Sequence, residues 1–186
     1  MQILPEFSIT WLNGFLLILP FVFIRLLVMK WVSPEGIKRA AFFPPLNNKE
    51  KPFMSVYMVT NLLAIFYPLL LSLKTGTLWF WIGLPLYLLG LVFLVLSIID
   101  FSKAPADKVI EEGIYRYSRN PMYVAYDLIY FGIGIATAAW LYLLIVAIFQ
   151  YTVHIMIISE ERWCLQQFGE EYQSYTDSTR RYWGQN

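Results

Sequence analysis

Residues 121–159 read PMYVAYDLIYFGIGIATAAWLYLLIVAIFQYTVHIMIIS and carry a single formal charge, Asp127. As one helix this stretch would be about 58 Å long at 1.5 Å per residue, nearly twice the roughly 30 Å of a bilayer's hydrocarbon core. It must fold back once. No proline or strong turn pair marks the place, so length alone puts the turn near Thr137-Ala138-Ala139-Trp140.

Working outward from this hairpin, the same criterion finds three more spans. One is apolar except for Arg25, which sits near its end and is expected to snorkel; the next two contain no Asp, Glu, Lys or Arg and are joined by Lys74-Thr75-Gly76-Thr77. The predicted fold class is therefore an all-α integral membrane protein. One membrane domain covers 1–186, with transmembrane helices at 7–32, 53–73, 75–99, 121–138 and 140–158 and a cytoplasmic C-terminal helix. Composition agrees: the 186 residues are 58% apolar and 15% charged, with a mean hydropathy of +0.53. A soluble domain averages roughly 25% charged residues.

Charge asymmetry sets the orientation. With five spans, the 33–52 loop (Lys38, Arg39, Lys49, Lys51), the 101–120 loop (Lys103, Lys108, Arg116, Arg119) and the tail (Arg162, Arg180, Arg181) share one face, leaving Lys74 on the other. The positive-inside rule then places the N-terminus outside and the tail in the cytoplasm. Prolines Pro20, Pro68 and Pro85 fall within spans, where neighbours must satisfy the carbonyls they free.

Other classes are excluded. The 14 Lys and Arg nearly cancel 13 Asp and Glu, which gives no basic excess for nucleic acid. One cysteine, Cys164, and one histidine, His154, supply neither a disulfide framework nor a metal site. The N-terminus lacks a basic segment and a small-residue cleavage site, so the first span is expected to stay in the mature protein. Five spans do not divide into the inverted repeats of a transporter, although an oligomer would escape that argument, and the sequence does not set the oligomeric state.

The polar residues gather in segments 101–120 and 159–186, which the hairpin brings together. The first contains Glu111-Glu112-Gly113-Ile114-Tyr115-Arg116-Tyr117-Ser118-Arg119-Asn120-Pro121-Met122-Tyr123; the second contains Ser159-Glu160-Glu161-Arg162-Trp163-Cys164-Leu165-Gln166-Gln167-Phe168-Gly169-Glu170-Glu171-Tyr172-Gln173-Ser174-Tyr175. Pro121 has the position of a first-turn helix proline, so free N–H groups there and the Arg119 charge can meet an anion. Glu160 and Glu161 can hold an ammonium or the hydroxyls of a ribose. Set against this, aromatic and basic residues at a membrane boundary are often interfacial anchors, and paired glutamates after a span are often a solvated helix end.

The order of these residues resembles the isoprenylcysteine carboxyl methyltransferases and their relatives among the membrane phospholipid methyltransferases. That family runs G-x-Y-x-x-x-R-H-P-x-Y-x-G, then E-E-x-x-L-x-x-x-F-G-x-x-Y-x-x-Y, and ends in an arginine, here Arg181. The resemblance spans residues 111–182. It implies an S-adenosylmethionine-dependent methyltransferase whose cofactor enters from the cytosol and whose lipophilic substrate, a small molecule or a lipid, enters from the bilayer. It also implies, as in small bacterial and archaeal members, five spans in an inner membrane.

By the same resemblance Tyr115, Arg119, Asn120, Pro121, Met122 and Tyr123 line one side of the cofactor pocket, with Glu160, Glu161 and Tyr172 opposite. Arg119, Glu161 and Arg181 are the catalytic candidates. Asn120 replaces the family's histidine and Ala125 a glycine. Asn120 cannot carry a proton as imidazole does, which leans toward a carboxylate acceptor, already ionised and in need of orientation but no base. Gln150, His154 and Glu161 are spaced four and seven apart on one helix face, which favours Glu161 over Glu160 for the interior.

Asp127 and His154 are candidate substrate contacts, Asp127 alternatively pairing with His154 or Arg25, and His154 alternatively an interior histidine. Ala125, Gly132, Ala136 and Ala139 form a small-residue stripe suited to close helix packing. Gly132-Ile133-Gly134 is similar to a Gly-x-Gly associated with cofactor binding. The rival readings are an NADPH-dependent reductase of the sterol or steroid type and a non-catalytic membrane scaffold with a degenerate site.

Overall fold

The computed structural model describes residues 11–28, 30, 43–105 and 107–185, and among them it is all helical. Residues 7–10, 29 and 31–32 of the first span, and Lys38 and Arg39 of the loop after it, lie outside the described residues. Among the described residues there are six α-helices: α1 (Phe15–Phe23), α2 (Lys51–Phe66), α3 (Leu78–Lys103), α4 (Pro121–Ala136), α5 (Trp140–Phe168) and α6 (Glu170–Ser178). A π-helical turn, Ile24–Val28, continues α1, and short 3₁₀ turns follow α2 (Tyr67–Leu70) and precede α4 (Gly113–Arg116).

Local chemistry sets the ends. Asn47 and Glu50 form a reciprocal cap ahead of α2: the Glu50 N–H donates to Asn47 Oδ1 (3.0 Å) and the Asn47 N–H to Glu50 Oε2 (2.9 Å). Pro68 has no N–H for the Ala64 carbonyl, and the buried Tyr142 hydroxyl donates to that oxygen instead at 2.9 Å. Before Pro105, Ala104 is extended and closes α3. Pro121 opens α4, and the α4–α5 turn passes through Ala138 at φ +51. Gly169, at φ +56, alone separates α5 from α6.

Three stretches, Lys51–Leu70, Leu78–Lys103 and Trp140–Phe168, are long and apolar enough to cross a membrane, while Phe15–Leu26 and Pro121–Ala136 are shorter apolar helices. Large apolar side chains such as Leu78, Trp81 and Leu144 stand exposed around them. The helices do not stop where charge begins. Helix α3 runs past residue 99 to Lys103, taking Asp100 with it, and α5 runs past 158 to Phe168, so Glu160 and Glu161 share a continuous helix with His154. With 16 residues, α4 is about 24 Å long.

The most extensive helix pair is α3 with α4, and glycine makes it possible. A Cβ on Gly132 would lie 2.6 Å from the Tyr87 backbone nitrogen, and one on Gly83 2.4 Å from that of Ala136. Two members of the small-residue stripe thus face α3 across near-touching backbones. Gly134 instead faces Leu143 and Tyr142 of α5. Both glycines of the Gly-x-Gly are filled by helix packing, far along α4 from its polar end, which corrects their resemblance to a cofactor site.

Candidate functional site

The polar end of the α4–α5 hairpin is organised around one carboxylate, Glu161. Arg119, just ahead of α4, donates to it twice, from Nε to Oε1 (3.2 Å) and from Nη2 to Oε2 (3.1 Å). Arg181 of the tail donates from Nε and Nη2 to Oε2 at 3.0 and 2.9 Å. Asn120 Nδ2 reaches Oε1 at 3.1 Å and also donates to the Arg181 carbonyl at 3.2 Å. Five contacts occupy the lone pairs of one carboxylate, and the glutamate and Arg119 side chains are only 11% and 10% exposed. Two cations to one anion leave a net positive cluster, with the Arg181 side chain 34% exposed.

Asn120 uses the two hydrogens of a single nitrogen to join Glu161 to the tail. A neutral imidazole has one N–H to give. At this position the amide ties two structural elements together at one point.

Glu160, one residue earlier and about 100° round the helix, has a different environment. Its Oε2 accepts from the Tyr123 hydroxyl at 3.1 Å, with no cation paired to it among the described residues. The paired glutamates thus divide: Glu161 is consumed by internal arginines, whereas Glu160 keeps acceptor capacity. Tyr123 and Val124 turn their N–H groups back onto the Asn120 carbonyl at 3.1 and 3.2 Å, and Pro121 has none, so the start of α4 offers an anion little beyond Met122. That corrects the expectation of a row of free amides there.

The tail builds much of this site. Residues 180–184 return beside 117–119: the Arg119 N–H donates to the Arg180 carbonyl (3.1 Å), and the Gly184 N–H to the Tyr117 carbonyl (2.7 Å). Trp183 stacks on Tyr117, and Arg119 Nη1 donates to the carbonyls of Thr176 and Thr179 at 3.0 and 2.9 Å. Beneath it the Tyr175 hydroxyl donates to the Tyr115 carbonyl at 2.6 Å, and Tyr172 packs edge-on to Tyr175. Burial pushes the Tyr115, Tyr172 and Tyr175 hydroxyls well above the ordinary phenol range, so they remain donors at any physiological pH. Asp100 at the end of α3 accepts from the Ile114 N–H (2.8 Å), and a Cβ on Gly113, at φ +61, would strike its carboxylate.

Tyr115, Arg119, Asn120, Pro121, Met122, Tyr123, Glu160, Glu161, Tyr172 and Arg181 therefore gather at one end of the hairpin. Asp127 and His154 do not pair: His154 Nδ1 shares a hydrogen bond with the Tyr182 hydroxyl, and Asp127 Oδ1 is buried without a hydrogen-bond partner. Two contributors went unread in the sequence. They are the tail backbone and Glu50, which binds Arg162 of α5 through two 2.7 Å contacts.

The family model for phospholipid methyltransferases matches residues 78–171, from the start of α3 to the first two residues of α6. The chain belongs to that family. No curated protein and no solved structure matches it. Membership makes it a membrane methyltransferase, and the matched region contains the α3–α4 pair, the hairpin and both glutamates. Arg181 and the returning tail lie beyond it.

Proposed function

We propose that this chain transfers a methyl group from S-adenosylmethionine to a lipophilic acceptor drawn from the bilayer, the acceptor atom being a carboxylate oxygen. The observation that carries this reading is the division of labour at the polar end of the hairpin. A net positive Arg119–Glu161–Arg181 cluster stands beside an acceptor-rich Glu160, which suits a molecule bearing a carboxylate, an ammonium and a sulfonium. Arg119 and Arg181 would hold the cofactor's carboxylate, and Glu160 with Tyr123 its positive end. When bound, the cofactor supplies an activated methyl group on sulfur. The protein then has to orient the acceptor, exclude water and balance charge. With a carboxylate as acceptor, already ionised, the chain's own residues would have to orient an oxygen toward the methyl group and would have no proton to remove. This agrees with a site whose Asn120 cannot act as a base.

In this reading α1 and α4, the shorter apolar helices, also lie in the membrane. Five spans then put the N-terminus outside, with the Arg119–Glu161 cluster and tail in the cytoplasm.

Equilibrium binding of labelled S-adenosylmethionine to the full chain in detergent tests the assignment. Wild type binds it and does not bind NADPH; Glu160→Gln, which keeps shape but loses charge, weakens binding about tenfold or more, as expected for a charge-assisted contact. Binding of NADPH in place of S-adenosylmethionine would sink the reading.

A further inference from the structure

Arg25 is a charge that neither the helix packing nor the proposed cofactor site uses. It lies in the π-helical turn Ile24–Val28, flanked by Ile24 and Leu26 in an otherwise apolar helix. Such turns recur at functional sites because they re-aim a side chain out of helical register. Rather than snorkelling, as its position near a span end suggests, Arg25 places its guanidinium carbon 5.2 Å from the centre of the Tyr126 ring. Tyr57, Tyr123 and Tyr130 also stand within electrostatic reach.

Among the described residues no Asp or Glu comes within ion-pair distance of Arg25. Aromatic faces offset part of the cost of a cation held in an apolar layer, yet they do not neutralise it. The Tyr126 ring under Arg25 packs edge-on against Tyr123, whose hydroxyl donates to Glu160, so the cation and the available carboxylate are joined through two tyrosines. Ile24, the neighbour of Arg25, lines a groove of about 250 Å³ with Leu91, Val92, Val95 and Leu96 of α3, all apolar. A guanidinium with no counter-ion among the described residues, next in sequence to a residue lining a wholly apolar groove, matches an amphiphile with an acidic head and a hydrocarbon tail.

We propose that Arg25, held over the Tyr126 ring, is the seat for the oxyanion of a membrane lipid whose chain lies along the Ile24–α3 groove. The oxyanion is either a free carboxylate or a headgroup phosphate. The proposal rests on the methyl-transfer reading for its consequence, that the seated lipid presents the acceptor beside Glu160, but the seat is a binding site in its own right.

The test uses the full chain in phosphatidylcholine nanodiscs, titrated with labelled palmitic acid, dipalmitoyl phosphatidic acid and, as the uncharged control, palmityl alcohol. At least one acid binds at least about tenfold tighter than the alcohol, Arg25→Gln removes that preference, and Arg25→Lys retains most of it. Preference for palmitate alone identifies a carboxylate, and preference for phosphatidic acid alone a headgroup phosphate. Equal binding of acid and alcohol, or an unchanged preference in Arg25→Gln, overturns the seat. Should Arg25→Gln not fold, the wild-type comparison of acid with alcohol decides alone. Acid binding without S-adenosylmethionine binding would leave the seat standing and end the methyl-transfer reading; the reverse pattern would do the opposite.

Discussion

Along α4, Gly132 and Ala136 bring the backbone of α3 so close that a single added methyl group would collide with it. At the start of the same helix, Arg119 and Asn120 reach α5 and the tail through charge and amide hydrogen bonds. The first region is held by the absence of side chains and the second by their full use. In an apolar solvent this division has a cause: there is no hydrophobic drive between helices, so association needs either close backbone approach or polar contacts. The comparison suggests that the two ends of α4 fail differently when altered.

The larger loss belongs to the charged end. Glu161→Ala leaves Arg119, 10% exposed, facing Arg181 without a counter-ion. Breaking a buried pair from one side costs about 3–5 kcal/mol, and Arg119 keeps the Thr176 and Thr179 carbonyls as partial compensation. Thermal unfolding in detergent should show this loss, while Glu160→Ala, which gives up the hydrogen bond from the Tyr123 phenol, stays close to wild type. Equal destabilisation by the two substitutions would erase the distinction drawn between the neighbouring glutamates.

Next comes the packed end. Gly132→Val places branched carbon against the Tyr87 backbone, where only a shift of a whole helix makes room. Overpacking of this kind costs about 1–3 kcal/mol. Since Gly132 lies far from the polar cluster, S-adenosylmethionine affinity in the folded fraction should stay near wild type. A variant of normal stability that fails to bind the cofactor would instead restore a cofactor role to the Gly-x-Gly.

The two ends were also unequally legible. Helices, hairpin and family follow from apolar run lengths and from a spaced pair of motifs, because both signals are local in sequence. The hairpin turn carries no glycine or proline; Ala138 takes φ +51 itself, so only length could locate it. The close approach of α3 was half legible, as small residues on α4 with no way to tell which helix they meet. The tail's return onto 117–119 was not legible, because it runs through backbone hydrogen bonds that leave no side-chain signature. Arg25 with Tyr126 and Glu50 with Arg162 were hidden for another reason. Each joins residues about a hundred positions apart, in a chain where 14 cations and 13 anions offer many equally good pairings.

That last pair supplies the smallest and most selective effect. Glu50 caps α2 and binds Arg162 on α5, tying the one helix to the other at the same polar end as the Arg119–Glu161 cluster. The Arg162 guanidinium foremost, and the Asn47 N–H after it, hold the Glu50 carboxyl below its ordinary pKa. A carboxyl whose folded pKa lies below its unfolded one contributes stability that is complete above the unfolded value, roughly pH 4.3, and is lost as pH falls through the folded value. Because the Arg162 side chain is 37% exposed, solvent screening limits the contribution to about 0.5–1 kcal/mol. Glu50→Gln should therefore lower stability by that amount at pH 7, and the difference from wild type should shrink once pH falls below the unfolded value and be gone below the folded one. Unlike Glu161→Ala, it should leave S-adenosylmethionine affinity unchanged, since Glu50 anchors α2 and does not touch the Arg119–Glu161–Arg181 cluster. A gap that persists once the carboxyl is protonated would mean that Glu50 acts through its hydrogen bond with the Asn47 N–H ahead of α2, which an amide also supplies in part, and not through its charge on Arg162.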